Sequence, residues 1–303
     1  MAKRKTAKQP VSTATGSGHD APVLDTASFS GDPKFPFAHY TSIVGINSSL
    51  MVFVGLFLPR SSMPFLDIES NTSPIQATSR DRPQHPFLEP LTANPVATLL
   101  YICLGVTILQ AWWSAWVRHW WIDHSLKGGR EDKKIQKQAL DRRKLLHFGK
   151  AWIFAFGTSA IFHAVLVLLG APLISHVPQT YLLALVIAIL TVVPPAYTFG
   201  LPSLSSDTES LLIRLTWIRL FADIRNPIER AMVYPVVGTI LGSWLGAIPI
   251  ALDWDRPWQA WPLTPAYGAL IGYITASLAA LSVSLVKALA DEHLRALRAS
   301  KRS

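Results

Sequence analysis

Cysteine is nearly missing from this sequence. Cys103 stands alone among 303 residues, so no intrachain disulfide can form and stability cannot rest on cystine. It lies inside an apolar run and reads as a small packing residue. Charge is thin as well, at 16% of residues, while half of the chain is apolar. A soluble all-α protein with buried helices would need far more polar surface. The short motifs of many hydrolases and phosphotransferases are also missing. There is no Walker loop, no HExxH, no Gly-x-Ser-x-Gly and no Cys/His spacing suited to a metal. No metal or other cofactor is therefore expected, and no long-period repeat is evident.

What is present is a set of long apolar runs. Six approach the length that crosses a membrane, at 41–58, 95–117, 151–171, 180–197, 231–250 and 265–287. About 20 apolar residues rising 1.5 Å each span the hydrocarbon core. The fold class expected is thus all-α, a polytopic membrane protein of about six transmembrane helices. The fourth run ends at Pro194-Pro195, where a helix boundary is soft. The organisation expected is a disordered basic tail over 1–36, a six-helix domain over 37–290 and a short basic tail over 291–303. No apolar segment with a cleavage site follows Lys3, Arg4, Lys5 and Lys8, so the N-terminal tail does not read as a signal peptide.

The net charge of +9 could suggest nucleic acid, but its placement points elsewhere. Lys and Arg number about 5 before the first span, 10 between the second and third, 4 between the fourth and fifth, and 5 at the end. About 24 fall on one side and 4 on the other, alternating as six spans require. The positive-inside rule then puts both termini in the cytosol, and no nucleic-acid partner is expected. The basic stretch Lys127–Lys150 reads as a cytosolic loop touching anionic lipid.

Between spans, Asn71-Thr72-Ser73 is a glycosylation sequon in a Pro/Ser-rich loop expected on the lumenal side. Asn47 and Ser48 in the first span should face other helices. Trp112, Trp113, Trp116, Trp120 and Trp121 end the second span and suit a headgroup layer. His119 falls one helical turn from Asp123, a solvated helix end rather than a metal site. His163 is ionisable at membrane depth. That makes it a functional candidate, although a histidine without an evident acidic partner is more often an interhelical hydrogen-bonding residue. Ser206-Asp207-Thr208-Glu209 has capping-box spacing before Leu211, Leu212, Leu215, Ile218 and Phe221, interleaved with Arg214 and Arg219. This predicts an amphipathic helix on the cytosolic face, ended by Asn226-Pro227.

The last two spans form a hairpin with small residues four apart. Gly238, Gly242 and Gly246 share one face of the first helix, and Gly268 and Gly272 one face of the second. Such strips let backbones approach closely, within the hairpin or against a partner's spans. The loop between them holds Asp253, Trp254, Asp255, Arg256, Pro257, Trp258, Gln259, Trp261 and Pro262, and the charge pattern puts it in the lumen. Two carboxylates and an arginine could handle a phosphorylated headgroup. Composition favours the plainer reading of the same residues as a stiff interfacial turn, with Arg256 paired to an aspartate and indoles as anchors. The predicted lumenal segments are too short for a separate catalytic domain.

The run Gly242-Ser243-Trp244-Leu245-Gly246-Ala247-Ile248-Pro249, continuing through Leu252-Asp253-Trp254-Asp255-Arg256-Pro257-Trp258-Gln259-Ala260-Trp261-Pro262 to Gly268 and Gly272, resembles the signature of the PIG-F family. These are small polytopic proteins of the endoplasmic reticulum needed for assembly of glycosylphosphatidylinositol (GPI) anchors. The match covers about 35 residues and is rich in Trp, Pro and Gly. The resemblance implies a non-catalytic, stabilising subunit of GPI ethanolamine phosphate transferases. Its large partners, PIG-O-like or PIG-G-like, would hold the metal-dependent domain that moves phosphoethanolamine from phosphatidylethanolamine onto GPI mannose. No catalytic residue carries over. The rival reading is a lipid-headgroup enzyme or a phospholipid or GPI translocator acting through Asp253, Asp255 and Arg256. A further option is a subunit whose Trp loop presents phosphatidylethanolamine to its partner.

Overall fold

The computed structural model describes residues 35–61, 85–125, 138, 143–203, 205–252, 254 and 256–301. Among them there is no strand. The helices whose bounds the described residues define are, in order, α1 Phe37–Leu56, α2 Glu89–Thr92, α3 Pro95–Ser125, α4 Lys144–Leu168, α5 Val177–Phe199, α6 Thr208–Ala222, α7 Pro227–Gly246 and α8 Leu263–Ser300. Six of these, α1, α3, α4, α5, α7 and α8, are long and apolar enough to cross a membrane. The chain is a multi-pass membrane protein. The sequon at Asn71, most of the 1–36 tail, most of the basic loop before α4, and both Asp253 and Asp255 lie outside the described residues.

The helix starts follow from local chemistry. Asn94 caps α3, its side-chain oxygen accepting from the Val96 and Ala97 amides at 3.1 Å, and Pro95 sits where no N–H is needed. Asp207 caps α6 by accepting from the Ser210 amide at 3.0 Å. Hydrogen bonds from the Ser205 hydroxyl and the Ser210 amide hold the Asp207 carboxyl down to about 2. α5 does not stop at Pro194-Pro195 but continues to Phe199, where Gly200 at φ +90° ends it. Prolines are tolerated inside membrane helices because neighbouring groups re-satisfy the freed backbone.

α5 is the axis of the protein. It packs against α3 and α4 along its length and against α7 and α8. Leu183, Ile189, Leu190 and Val193 are fully enclosed. α4 lies at the rim, packed chiefly on α5, and leaves Ile153, Ile161 and Leu168 exposed, an apolar face suited to lipid. α1 closes the opposite side against α3 and α8. All of these elements belong to one compact unit, Pro36–Ser303. At 38 residues, α8 is about 57 Å long, far more than a hydrocarbon core of about 30 Å. Residues 291–300, expected as part of a basic tail, therefore continue this helix and are exposed.

Two expectations about the spans change. Trp113 and Trp120 are buried core residues rather than headgroup anchors. Trp120 meets the Tyr40 ring edge-on at 5.5 Å and Trp113 at 6.2 Å. Charged groups are also more numerous inside the bundle than the runs suggested, for Arg118, Glu229 and Arg230 are all buried.

Candidate functional site

Among the described elements, the α7–α8 hairpin has the most extensive interface. Its two glycine strips face each other. A Cβ placed on Gly242 would land on the Gly268 carbonyl oxygen, and one on Gly238 on the Gly272 carbonyl oxygen. The relation is reciprocal, since a Cβ on Gly268 or Gly272 meets Gly242 or Gly238. Gly246 abuts the Thr264 and Pro265 backbone. Of the two possibilities the sequence left open, all five glycines are taken up within the hairpin. Backbone contact this close is available only where no side chain intervenes.

The connecting loop is built on that close approach. Single turns at Ile248–Leu252 and Pro257–Gln259 shape it. Gln259 bridges them, accepting from the Arg256 amide at 2.9 Å and donating to the Pro249 carbonyl at 2.5 Å. Trp254 and Trp258 meet edge-on at 5.7 Å. The Trp261 indole N–H donates to Thr180 Oγ1 at 2.9 Å, and the Thr180 hydroxyl donates to the His176 carbonyl at 3.0 Å. The loop is thereby fixed to the first turn of α5. The Trp261–Pro262 peptide is cis. Trp254 is half exposed, while Arg256, Trp258 and Gln259 are partly covered.

The remaining candidates are scattered. His163 is partly buried on α4, edge-on to the Tyr181 ring at 6.1 Å, and its Nδ1 has no hydrogen-bond partner. His119 lies 3.2 Å from Asp123, both exposed. Among the described residues no three His, Cys, Asp or Glu side chains converge as metal ligands. Asn47 and Ser48 do turn inward, and the Asn47 amide donates to the Tyr273 hydroxyl at 3.3 Å.

The sequence reading missed a polar junction at the other end of the hairpin. Glu229, 1% exposed, accepts from the Arg225 and Asn226 amides at 2.7 and 3.2 Å and pairs with Arg219 of α6 at 2.9 Å. Beside it, Arg230 donates to the Ser284 hydroxyl of α8 at 2.8 Å and to the Arg225 carbonyl at 3.2 Å. This junction ties the amphipathic helix to the hairpin. The signal was Asn226-x-x-Glu229, the spacing of a helix cap. On α6, Leu211, Leu212, Leu215, Ile218 and Phe221 remain exposed, the apolar stripe expected of a helix lying on a membrane surface.

Comparison with known proteins identifies relatives for this arrangement. The family described as "GPI biosynthesis protein family Pig-F" matches residues 84–281. Over 225 residues the chain is 31% identical to the glycosylphosphatidylinositol anchor biosynthesis protein 11 of Yarrowia lipolytica, covering 67% of this chain and 90% of that one. It is 36% identical over 135 residues to the human GPI ethanolamine phosphate transferase, stabilizing subunit, covering 43% and 56%. The protein 11 of Pyricularia oryzae is 42% identical over 115 residues, covering 38% and 39%. The chain thus spans most of the Yarrowia protein and about half or less of the other two. No solved structure matches.

Proposed function

Because the chain belongs to the GPI biosynthesis protein family Pig-F, we propose that it is a non-catalytic, stabilising subunit of a GPI ethanolamine phosphate transferase. In this reading it resides in the endoplasmic reticulum membrane. Its partner is a large PIG-O-like or PIG-G-like chain that performs the transfer onto GPI mannose. The family's human and mouse members are named as stabilising subunits.

The observation that carries the reading is the brace at the loop end. The loop is held to α5 through Trp261–Thr180 and stiffened by Gln259. It rests on a hairpin whose helices touch backbone to backbone. A surface fixed from three directions suits holding a second protein, because little entropy is lost on docking a shape already set. The glycines act indirectly, by setting the spacing of the helices that carry the loop.

The test is mild-detergent purification of the tagged chain from its own membranes, with co-purifying proteins identified by mass spectrometry. Recovery of a large multi-spanning phosphotransferase, and its loss from the membrane when Gly242→Leu replaces the wild type, is the expected result. A chain that purifies alone, stable and monodisperse, would overturn the proposal.

A further inference from the structure

Beside the braced loop lies a feature the stabilising role does not use. An apolar groove of about 440 Å³ runs between the end of α1, the short α2 and the first turns of α8. Its walls include Leu56, Leu91, Pro249, Trp258, Tyr267 and Ile271, and are almost wholly carbon. The volume lies within the range of small-molecule sites. Ile271 on its rim is exposed and Leu88 is partly so, so it opens sideways from the bundle, where a spanning protein meets hydrocarbon.

Two polar groups, one lining the groove and one beside its rim, have no hydrogen-bond partner among the described residues. Thr264, in the first turn of α8, lines the groove with a hydroxyl that is buried and forms no hydrogen bond. Arg60 closes the turn after α1. It is exposed, has no acidic partner among the described residues, and stacks its guanidinium 4.4 Å above the Phe87 ring. Phe87 adjoins Leu88 of the groove. From the interface inward the site therefore offers a cation, a hydroxyl donor and a hydrocarbon channel. A glycerophospholipid presents a phosphate, an ester carbonyl and an acyl chain in that same order.

We propose that the groove seats one acyl chain of a glycerophospholipid, with the lipid phosphate paired to Arg60 and an ester carbonyl accepting from Thr264. The channel alone would not retain a lipid, because bilayer hydrocarbon is as apolar as leucine and a chain gains little by leaving it. Retention comes from the polar mouth. A guanidinium is well matched to phosphate oxygens, and the Thr264 hydroxyl would be satisfied only by a ligand carrying an acceptor. The assignment holds whichever protein partner is bound.

The test uses the full chain in phosphatidylcholine vesicles containing a phosphatidylcholine probe with a diazirine in one acyl chain. After illumination, adducts are mapped by mass spectrometry. They should concentrate on Leu88, Leu91 and Ile271 over Val165 and Leu168, which are exposed on the rim helix α4. Arg60→Gln should lower groove labelling about tenfold, the scale of one lost charge-assisted hydrogen bond. Ile271→Trp, which fills the channel without touching the core, should lower it similarly, and Leu168 labelling should stay constant in both. Adducts distributed simply by exposure, or groove labelling indifferent to Arg60→Gln, would overturn the proposal. So would groove labelling that disappears when the chain is reconstituted with a co-purified partner, since a partner helix would then be the occupant.

Discussion

The Gly268 carbonyl oxygen occupies the space that a side chain on Gly242 would need. Even one methyl group at Gly242 must push two helix backbones apart, and backbone cannot rotate aside as a flexible side chain can. Gly157 of α4 is the internal control, because a Cβ there meets nothing within 4 Å. Gly242→Ala should lower stability by about 1–3 kcal/mol. Gly157→Ala should leave stability unchanged or raise it by a few tenths of a kcal/mol, through helix propensity. Thermal denaturation midpoints in detergent measure both. Equal losses would mean that the hairpin is not held by backbone contact.

The indole of Trp261 and the hydroxyl of Thr180 form one hydrogen bond between loop and α5. Trp261→Phe should lose about 0.5–1.5 kcal/mol from that bond, with more from the smaller ring. Thr180→Val should lose a similar amount, and the double variant should be less damaged than the sum. A double-mutant cycle on unfolding in detergent reads the difference. Strict additivity would show that the contact contributes nothing.

Gln259 and Arg256 should separate cleanly. The loop uses the backbone N–H of Arg256 and both ends of the Gln259 amide. Gln259→Ala therefore removes two hydrogen bonds and should destabilise by about 1–2 kcal/mol. Arg256→Ala keeps the backbone donor and should leave the fold intact. Proteolysis within the loop reads the result as cleavage rate, faster for Gln259→Ala and unchanged for Arg256→Ala.

Much of this architecture was legible because membrane helices are written in composition. The six apolar runs and the glycine periodicity needed no knowledge of neighbours. What could not be read was the rotation of each helix. Trp113 and Trp120 share the end of one run with Trp112 and Trp121, yet only the first two face inward. Nothing in hydropathy separates an indole facing protein from one facing lipid. The central place of α5 was hidden for the same reason, since a helix apolar all round suits either the core or the bilayer. Glu229 and Arg230 lie just before the apolar run at 231–250. Their burial depends on α6 folding back and on Ser284 of α8, contacts distant in sequence.

Sidedness is the next prediction. The basic-residue asymmetry puts both termini in the cytosol and the Asn71 sequon in the lumen. Asn71 should carry a glycan in eukaryotic membranes, seen as a mobility shift removed by endoglycosidase H and by Asn71→Gln. A sequon added after Ser303 should remain unmodified. Modification there, with none at Asn71, would invert the topology and put the braced loop on the cytosolic side.

The junction between α6 and α7 makes an asymmetric prediction. Glu229 is 1% exposed at its side chain, whereas Arg219 is 49% exposed. Removing the arginine leaves a carboxylate enclosed with only its two backbone donors, and an unpaired buried charge is the costly outcome. Removing the negative charge instead frees a guanidinium that can turn to water. Arg219→Ala should thus destabilise by up to about 3 kcal/mol. Glu229→Gln keeps an acceptor for the backbone amides and should lose less, about 1 kcal/mol. Glu229→Ala abandons both amides and should resemble Arg219→Ala. Thermal midpoints of the three variants in one detergent decide it. If Arg219→Ala proves the mildest, the carboxylate is held by the helix start alone, and α6 is anchored by its apolar stripe instead.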